Sequence, residues 1–465
     1  MKRVVSSVSP WTGKTIANHT LMNKTEALEA VNGAAKLFRG SKFELDDRVN
    51  MAKRLASGLR DKADGLAALA SAEMGKPSEQ SKHEVLKCAD LAEYYSESGP
   101  GFLRDEPLGG DTSFPLHTTA SGRIPGFNCS TVYRPLGVIL GIMPWNFPVW
   151  QVIRWAVPTI MAGNACVLKH ASNVQGTAKM LEDIMRDSGY QGWFTNLAIQ
   201  SDDVEDLIAQ SDIAGVAFTG SERAGRAVAE ASGRNLKKCV VELGGSDACI
   251  IAEGASNMKS IARQVVKGRM HNTGQSCISP KRVIVTRKHL RAFEEAVASE
   301  IQNLEFGLDF GPVVSEQAAL EIEKQVDKGI SDGARILARW TGSRASHPVV
   351  SPIALADVSR QNHLTQEEVF GPVLVIVPAE NDAEAIELAN ASPFGLGASI
   401  FTEDHEKGIM IAKDQLDAGM TFVNALPRSD PRMPFGGIKK SGFGRECGAW
   451  GIREFCNVKS IWIRQ

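Results

Sequence analysis

Ile213-Ala214-Gly215-Val216-Ala217-Phe218-Thr219 runs directly into Gly220-Ser221-Glu222-Arg223-Ala224-Gly225. The first seven residues read as a strand, and the next turn opens a helix. The same alternation extends in both directions. Upstream, Val138–Ile142 is a strand, Pro148–Met161 a helix and Ala165–Lys169 a strand. A helix then runs to about Ser188, followed by a strand over Phe194–Ile199 and a helix over Val204–Ala209. Downstream, Cys239–Glu242 closes the series. Strands alternating with helices predict an α/β fold with a doubly wound parallel sheet and ligand sites at the strand ends. A second αβ series runs from Ala248 to about Val423.

The flanking segments differ. Residues 5–20 predict a strand with a turn at Pro10-Trp11-Thr12-Gly13, and Asn23 to about Tyr95 is helical in period, with Thr25 as a cap. Gly, Pro, Ser and Thr crowd residues 99–130, which read as a long loop and a hairpin leaving the main body. The glycine-rich run Phe435–Arg445 precedes a strand-like tail, Val458–Ile463.

At 465 residues the chain is long enough for two or three domains. Hydrophobic residues make up 43% and charged residues 23%, and the formal net charge is −2, without a long basic run. Nucleic acid is therefore not an expected partner. The most apolar stretch, Val138–Val152, is broken by Pro144 and Pro148 and is too short to span a membrane. The eight cysteines are scattered without metal-ligand spacing, so no metal site is expected. They suit a reducing compartment, and no apolar leader is apparent, so the cytoplasm is the expected location.

Three broken turns carry reactive groups. Asn272-Thr273-Gly274-Gln275-Ser276-Cys277 presents a thiol behind a glycine, just ahead of a strand over Lys281–Val285. Glu242-Leu243-Gly244-Gly245 offers a carboxylate, and Pro144-Trp145-Asn146-Phe147-Pro148 a primary amide. A thiol, a carboxylate and an amide can serve as nucleophile, base and oxyanion donor.

With Phe218–Ser221, Glu367-Glu368-Val369-Phe370-Gly371-Pro372 and Pro434–Gly437, these motifs occur in the order of the NAD(P)-dependent aldehyde dehydrogenase superfamily, which the chain resembles over nearly its whole length. Lys169-His170-Ala171-Ser172-Asn173 and Glu242–Asp247 are most similar to the succinate semialdehyde dehydrogenase branch. The resemblance implies that Cys277 attacks an aldehyde, that the Asn146 amide and the Cys277 N–H stabilise the oxyanion, and that Glu242 activates the hydrolytic water. Loss of one such oxyanion donor typically costs about 3 kcal/mol of barrier.

The resemblance also implies a cofactor site without GxGxxG. Gly220, Ser221 and Gly225 would receive a pyrophosphate at a helix start, with Ser221 serving as helix cap as well. Lys169 would meet the adenosine ribose and Glu368 the nicotinamide-side ribose, with Trp145, Leu243 and Phe370 packing nearby. Many NAD-preferring relatives carry Glu where this chain has Ser172, so NADP is the expected preference, with NAD usable if Ser172 merely caps a helix. Trp150, Arg154 and Ser429 would bind the substrate, the arginine gripping a distal carboxylate. His271 stands where some members have a second arginine, leaving Arg428 or Arg432 to compensate. Ser279 removes any disulfide partner two residues after the nucleophile.

The implied organisation has three parts. Residues 1–116 and 135–242 form a cofactor-binding domain and 243–440 a catalytic domain. Residues 117–134 and 451–465 are oligomerisation segments, joining the chain to copies of itself as a homodimer or homotetramer. The expected reaction is oxidation of a small aldehyde, succinate semialdehyde with NADP. Another short aldehyde such as glutarate semialdehyde remains open, as does a non-redox thioesterase or acyltransferase built on Cys277 and Glu242. The segment 108–126 is longer than usual for this branch, and 304–312 is shorter.

Overall fold

The computed structural model describes residues 3–107, 127–342 and 348–464. The long segment 108–126 lies outside these. Six strands form the first sheet, in the order Gly442–Phe443, Lys238–Glu242, Ile213–Thr219, Val138–Met143, Ala165–His170, Phe194–Asn196. All neighbours are parallel except Gly442–Phe443, which runs antiparallel to Lys238–Glu242. The central strands are buried along their whole length because helices cover both faces, which is why they read as unbroken apolar runs rather than alternating ones. The order reverses at Val138–Met143, and the loop that follows it, 144–149, lies at this switch point.

The second sheet has seven strands, in the order Arg335–Arg339, Ile353–Ala356, Val373–Ala379, Arg282–Thr286, Ala248–Ile251, Gly397–Phe401, Met420–Val423. It is parallel except for its first pair. Its faces divide two cores. Ala248 and Ile250 belong to one, Cys249 and Ile251 to the other, as the two-residue period of a strand requires.

The tail strand Cys456–Arg464 pairs antiparallel with Phe127–Pro135, and Glu106–Pro107 pairs on the other side. The hairpin read as leaving the main body and the strand-like tail thus join into one small sheet. An antiparallel pair, Val4–Val8 with Thr15–Thr20, turns at residues 9–14, where Gly13 N–H donates to the Ser9 carbonyl at 2.7 Å.

Several boundaries differ from the sequence expectation. Asn23, not Thr25, caps the first helix, because Asn23 and Glu26 form a reciprocal capping box. The helix Ser78–Phe102 continues three residues beyond Gly99, carrying Pro100 in its last turn. The strand expected over Phe194–Ile199 ends at Asn196. The helix expected from Pro148 starts at Trp150. Its first turn is held by Glu84, whose Oε1 accepts from the Val149 and Trp150 N–H groups at 2.9 and 2.8 Å. Among the described residues no helix is long and apolar enough to cross a membrane.

Candidate active site

The nucleophile turn is held in an uncommon backbone shape. Asn272, Thr273 and Gly274 all have positive φ, at 52°, 56° and 72°. Left-handed conformation costs an L-residue roughly 1–2 kcal/mol, so the surroundings must enforce it. They do so with side chains. Asn272 Nδ2 donates to the Asn146 and Gln275 carbonyls at 2.7 and 3.1 Å. Buried Arg269 donates to the carbonyls of Gly274, Val369 and Val373 and to Ser279 Oγ. Lys281 Nζ donates to the Ser276 and Cys277 carbonyls at 2.8 Å each. Gly274 is required for a further reason: a Cβ there would lie 2.1 Å from the Gly371 carbonyl oxygen.

The result is a thiol facing a carboxylate and an amide. The Cys277 thiol interacts with the Glu242 carboxylate, although neither carboxylate oxygen has a hydrogen-bond partner of ordinary geometry. Burial, followed by the Glu242 charge, pushes the Cys277 thiol well above its usual range, against the pull of Arg154 and Lys281. Burial raises Glu242 to about 7, with Arg154 opposing. Asn146 is buried at the switch-point loop, its Oδ1 accepting from Gln151 Nε2 and its Nδ2 donating to the Gln275 carbonyl, both at 3.1 Å. That leaves one amide hydrogen free. The Cys277 N–H has no acceptor among the described residues.

Most residues expected on the cofactor side lie at the ends of the first sheet, whereas Glu368 and Phe370 come from the loop before Val373–Ala379 of the second. Ser221 caps the helix Glu222–Arg234, its Oγ accepting from Ala224 N at 3.4 Å. Gly225 lies so close to Leu243 that a Cβ would meet Leu243 Cδ2 at 2.4 Å, which places the helix start against the strand end. Gly220 N–H donates to the Glu242 carbonyl at 3.1 Å. Lys169 is buried at the end of its strand, its Nζ donating to Ser201 Oγ at 3.3 Å, and burial lowers its pKa. Ser172 is exposed one turn on, and its side chain makes no helix cap. Trp145 and Phe370 meet edge to face with centroids 6.0 Å apart. Glu368 packs over Gly244, where a Cβ would come 1.9 Å from its carboxylate, and pairs with Lys281 at 3.0 Å and the Gly245 N–H at 3.2 Å.

These observations fit a phosphorylated dinucleotide. A capped helix start offers N–H groups to a pyrophosphate, and buried Lys169, without a carboxylate partner among the described residues, reaches the Ser201 hydroxyl. No group of three or more His, Cys, Asp or Glu that could hold a metal occurs among the described residues.

The substrate side departs from the sequence expectation at Arg154. The fork expected to meet a distal substrate carboxylate is turned inward. Its Nη2 lies 2.5 Å from Glu446 Oε2 and 3.8 Å from Glu242 Oε2, and the guanidinium sits over the Phe435 ring at 4.3 Å. Burial works against its charge, but Glu446 and Glu242 outweigh it and raise the pKa. Arg154 lies one helical turn past Trp150 and is buried with it. Trp150 and Ser429 do share a neighbour, Lys87, whose Nζ lies 3.9 Å from the Trp150 ring centroid and donates to Ser429 Oγ at 2.7 Å. His271 stacks on Phe147 with centroids 6.1 Å apart. Arg432 does not compensate, because it forks onto Asp430 at 2.8 and 2.7 Å; Arg428 stands exposed.

Four residues of the site were not anticipated: Lys87, Arg269, Lys281 and Glu446. Each is a charged group buried or half-buried by the tertiary fold. A charged residue inside an apolar helical stripe, as at Arg269, was the available signal; Lys87 has no such setting, and Lys281 and Glu446 sit next to motifs but carry no spacing rule of their own.

The comparisons with known proteins agree with this geometry. The model of the aldehyde dehydrogenase family matches residues 1–461. The chain is similar to succinate-semialdehyde dehydrogenase (NADP(+)) 1 of Mycobacterium tuberculosis, at 39% identity with 99% of each chain covered. It is also similar to succinate semialdehyde dehydrogenase (NAD(P)+) Sad of Escherichia coli, at 38% identity with 98% of this chain and 97% of the relative covered. Among solved structures, succinic semialdehyde dehydrogenase from Streptococcus pyogenes in complex with NADP+ superposes with a TM-score of 0.92 at 33% identity, over 99% of this chain and 100% of that one. With the family model matching residues 1–461 and a relative 39% identical over 99% of the chain, this chain belongs to the aldehyde dehydrogenase family.

Proposed function

We propose that this protein oxidises succinate semialdehyde to succinate, with NADP preferred over NAD. The observation that carries the chemistry is the convergence of the Cys277 thiol, the Glu242 carboxylate, the Asn146 amide and the unpaired Cys277 N–H. Glu242, raised to about 7, is matched to proton transfer near neutrality. It accepts the proton of Cys277, and the thiolate adds to the aldehyde carbon. Asn146 and the Cys277 N–H receive the oxyanion. NADP, when bound, would supply the acceptor for the hydride that leaves this adduct. Cys277 is then acylated as a thioester. Glu242 gives up the thiol's proton to solvent and then deprotonates a water that attacks the thioester; the acid leaves, and the departing Cys277 thiolate takes that second proton back from Glu242.

In this reading Lys169, Ser172, Gly220, Ser221, Gly225, Leu243, Glu368, Trp145 and Phe370 form the cofactor site. Residues 1–116 and 135–242 serve the cofactor, and residues 243–440 carry the nucleophile. Residues 117–134 and 451–465 pair copies of the chain as a homodimer or homotetramer; Val458 and Ile463 on the tail strand are exposed apolar side chains suited to that contact. The eight free thiols suit a reducing, cytoplasmic setting.

Two facts support the substrate and cofactor choice: the names of relatives matched over 98–99% of this chain, and the lysine–serine pair at 169 and 172. Steady-state turnover of succinate semialdehyde with NADP and with NAD tests it. Higher kcat/KM with NADP, and with succinate semialdehyde over uncharged aldehydes, is the expected result. Equal turnover of all small aldehydes removes the substrate assignment, and a preference for NAD removes the Ser172 argument.

A further inference from the structure

The first N–H groups of a helix have no partner within it. At the helix Trp150–Met161 they are met from outside. Glu84, on the helix Ser78–Phe102, accepts the Val149 and Trp150 N–H groups on Oε1 at 2.9 and 2.8 Å, while its Oε2 pairs with Lys76. Both side chains of that pair are almost wholly buried. Lys76 Nζ in turn lies 3.9 Å from the centroid of the Phe147 ring. The loop that carries Asn146 is thus held just beyond that residue, at the ring of 147 and at the N–H groups of 149 and 150. Gln80 lies one turn before Glu84, on the same side of its helix. Its Oε1 accepts the Asn272 N–H at 2.7 Å, and its Nε2 donates to the Leu308 and Asp309 carbonyls at 2.9 and 3.1 Å. Asn272 opens the nucleophile turn, and its Nδ2 donates to the Asn146 carbonyl. Two successive turns of one helix therefore hold both the segment with the thiol and the segment with the amide.

We infer that Glu84 and Gln80 are positioning residues for the oxyanion donor: they fix the loop of Asn146 against the nucleophile turn, so that the amide stands where the oxyanion forms. This rests on the oxyanion role given to Asn146 above, and not on the identity of the aldehyde. An oxyanion donor acts only when it is in place. Removing one costs roughly 100- to 1,000-fold in kcat, and misplacing a reacting group by about 1 Å costs roughly 100-fold. A carboxylate suits the task at 84 because one oxygen takes two N–H groups while the other holds Lys76. Gln80 suits the second task because it both accepts and donates, tying Asn272 to the segment at 308–309.

The test removes the acceptor without stranding a buried charge. Replacing a buried ion pair by apolar side chains of similar volume is often neutral for stability. Lys76→Met is therefore combined with Glu84→Leu, which cuts the hold, or with Glu84→Gln, which keeps an acceptor oxygen for the two N–H groups. The parent's better aldehyde of succinate semialdehyde and butanal, and its better cofactor of NADP and NAD, serve for all variants. Rapid mixing reads the first turnover as reduced cofactor. Lys76→Met with Glu84→Leu is expected to slow it by roughly 10- to 100-fold with KM little changed, and the pair with Glu84→Gln should recover most of that loss. Alkylation of Cys277 by iodoacetamide without cofactor develops no oxyanion and should keep the parent rate. In an Asn146→Ala background the pair with Glu84→Leu should slow the first turnover much less than in the parent, because the donor it places is gone. Gln80→Leu, at a half-buried position, should show the same non-additivity and covers the case in which neither pair folds. A folded pair with Glu84→Leu that keeps the parent's first-turnover rate overturns the inference. So does full multiplication of its loss with that of Asn146→Ala, or alkylation slowed in step with turnover. If Asn146→Ala itself leaves the first turnover unchanged, the oxyanion reading falls and this inference falls with it.

Discussion

Arg154 Nη2 lies 2.5 Å from Glu446 Oε2, a buried contact between the helix after the Asn146 loop and the segment that follows the glycine-rich run. The pair sits beneath Glu242, so the arginine's charge serves the general base rather than the solvent. Cutting one partner from a buried pair leaves the other charge uncompensated, at a cost of about 3–5 kcal/mol. Arg154→Met is therefore expected to lower the denaturation midpoint clearly, and Glu446→Gln to lower it less, because the arginine still faces Glu242. Denaturant titration of both variants checks this. Equal stability to the parent would mean that the contact contributes nothing net.

Glu242 titrates near 7, and the sign of its effect on rate follows. Below about pH 7 the carboxyl is protonated and cannot accept a proton; above it the base is available. Turnover should rise with pH through about 7 and then level. Glu242→Gln should lose this limb and slow turnover by roughly 100- to 10,000-fold, while the first acylation still yields a stoichiometric burst of reduced cofactor on mixing at high pH. A pH–rate profile with rapid-mixing absorbance measures both.

Ser172 is exposed, three residues after buried Lys169; on the proposed cofactor reading, a carboxylate at this position would repel a 2′-phosphate. Ser172→Glu should shift the ratio of kcat/KM for NADP over NAD toward NAD, by about 10-fold or more. Lys169→Met should weaken NADP more than NAD. Cofactor titration by fluorescence, without aldehyde, reads the same shift in binding alone.

Gly274 combines a φ of +72° with a carbonyl 2.1 Å from where its Cβ would be. Gly274→Ala must move the chain at Gly371 or at the nucleophile turn. Loss of most activity is expected, with slower or altered reaction of Cys277 toward a thiol reagent. A conservative exchange at Gly13, also at positive φ but with nothing within 4 Å, should leave that thiol reactivity as it is.

Lys281 ties three parts of the site together: the Ser276 and Cys277 carbonyls and Glu368. Lys281→Met should release Glu368 and loosen the turn, reducing kcat by roughly 10- to 100-fold. A burial-driven loss of fold would show instead as a lowered denaturation midpoint with unaltered activity in the remaining folded fraction. Measuring both separates the two effects.

Much was legible in the sequence because its signals are local. Unbroken apolar runs separated by capped helices predict a parallel sheet, and Ile213–Thr219 forms the strand expected of it. Gly274, Gly225 and Gly244 mark close approaches that only a glycine tolerates, and the motifs around them carry the thiol and the carboxylate. The tertiary structure alone decided which charges meet. Arg154 and Glu446 are far apart in the chain, as are Lys87 and Ser429, and no periodicity ties one partner to the other. Residue type and helical spacing put Arg154 near Asn146, but only the packed fold brings its guanidinium against Glu446 and Glu242. Local sequence sets backbone shape through short-range sterics and hydrogen bonding. The pairing of buried charges depends on distances that exist only once the two sheets and their helices have packed.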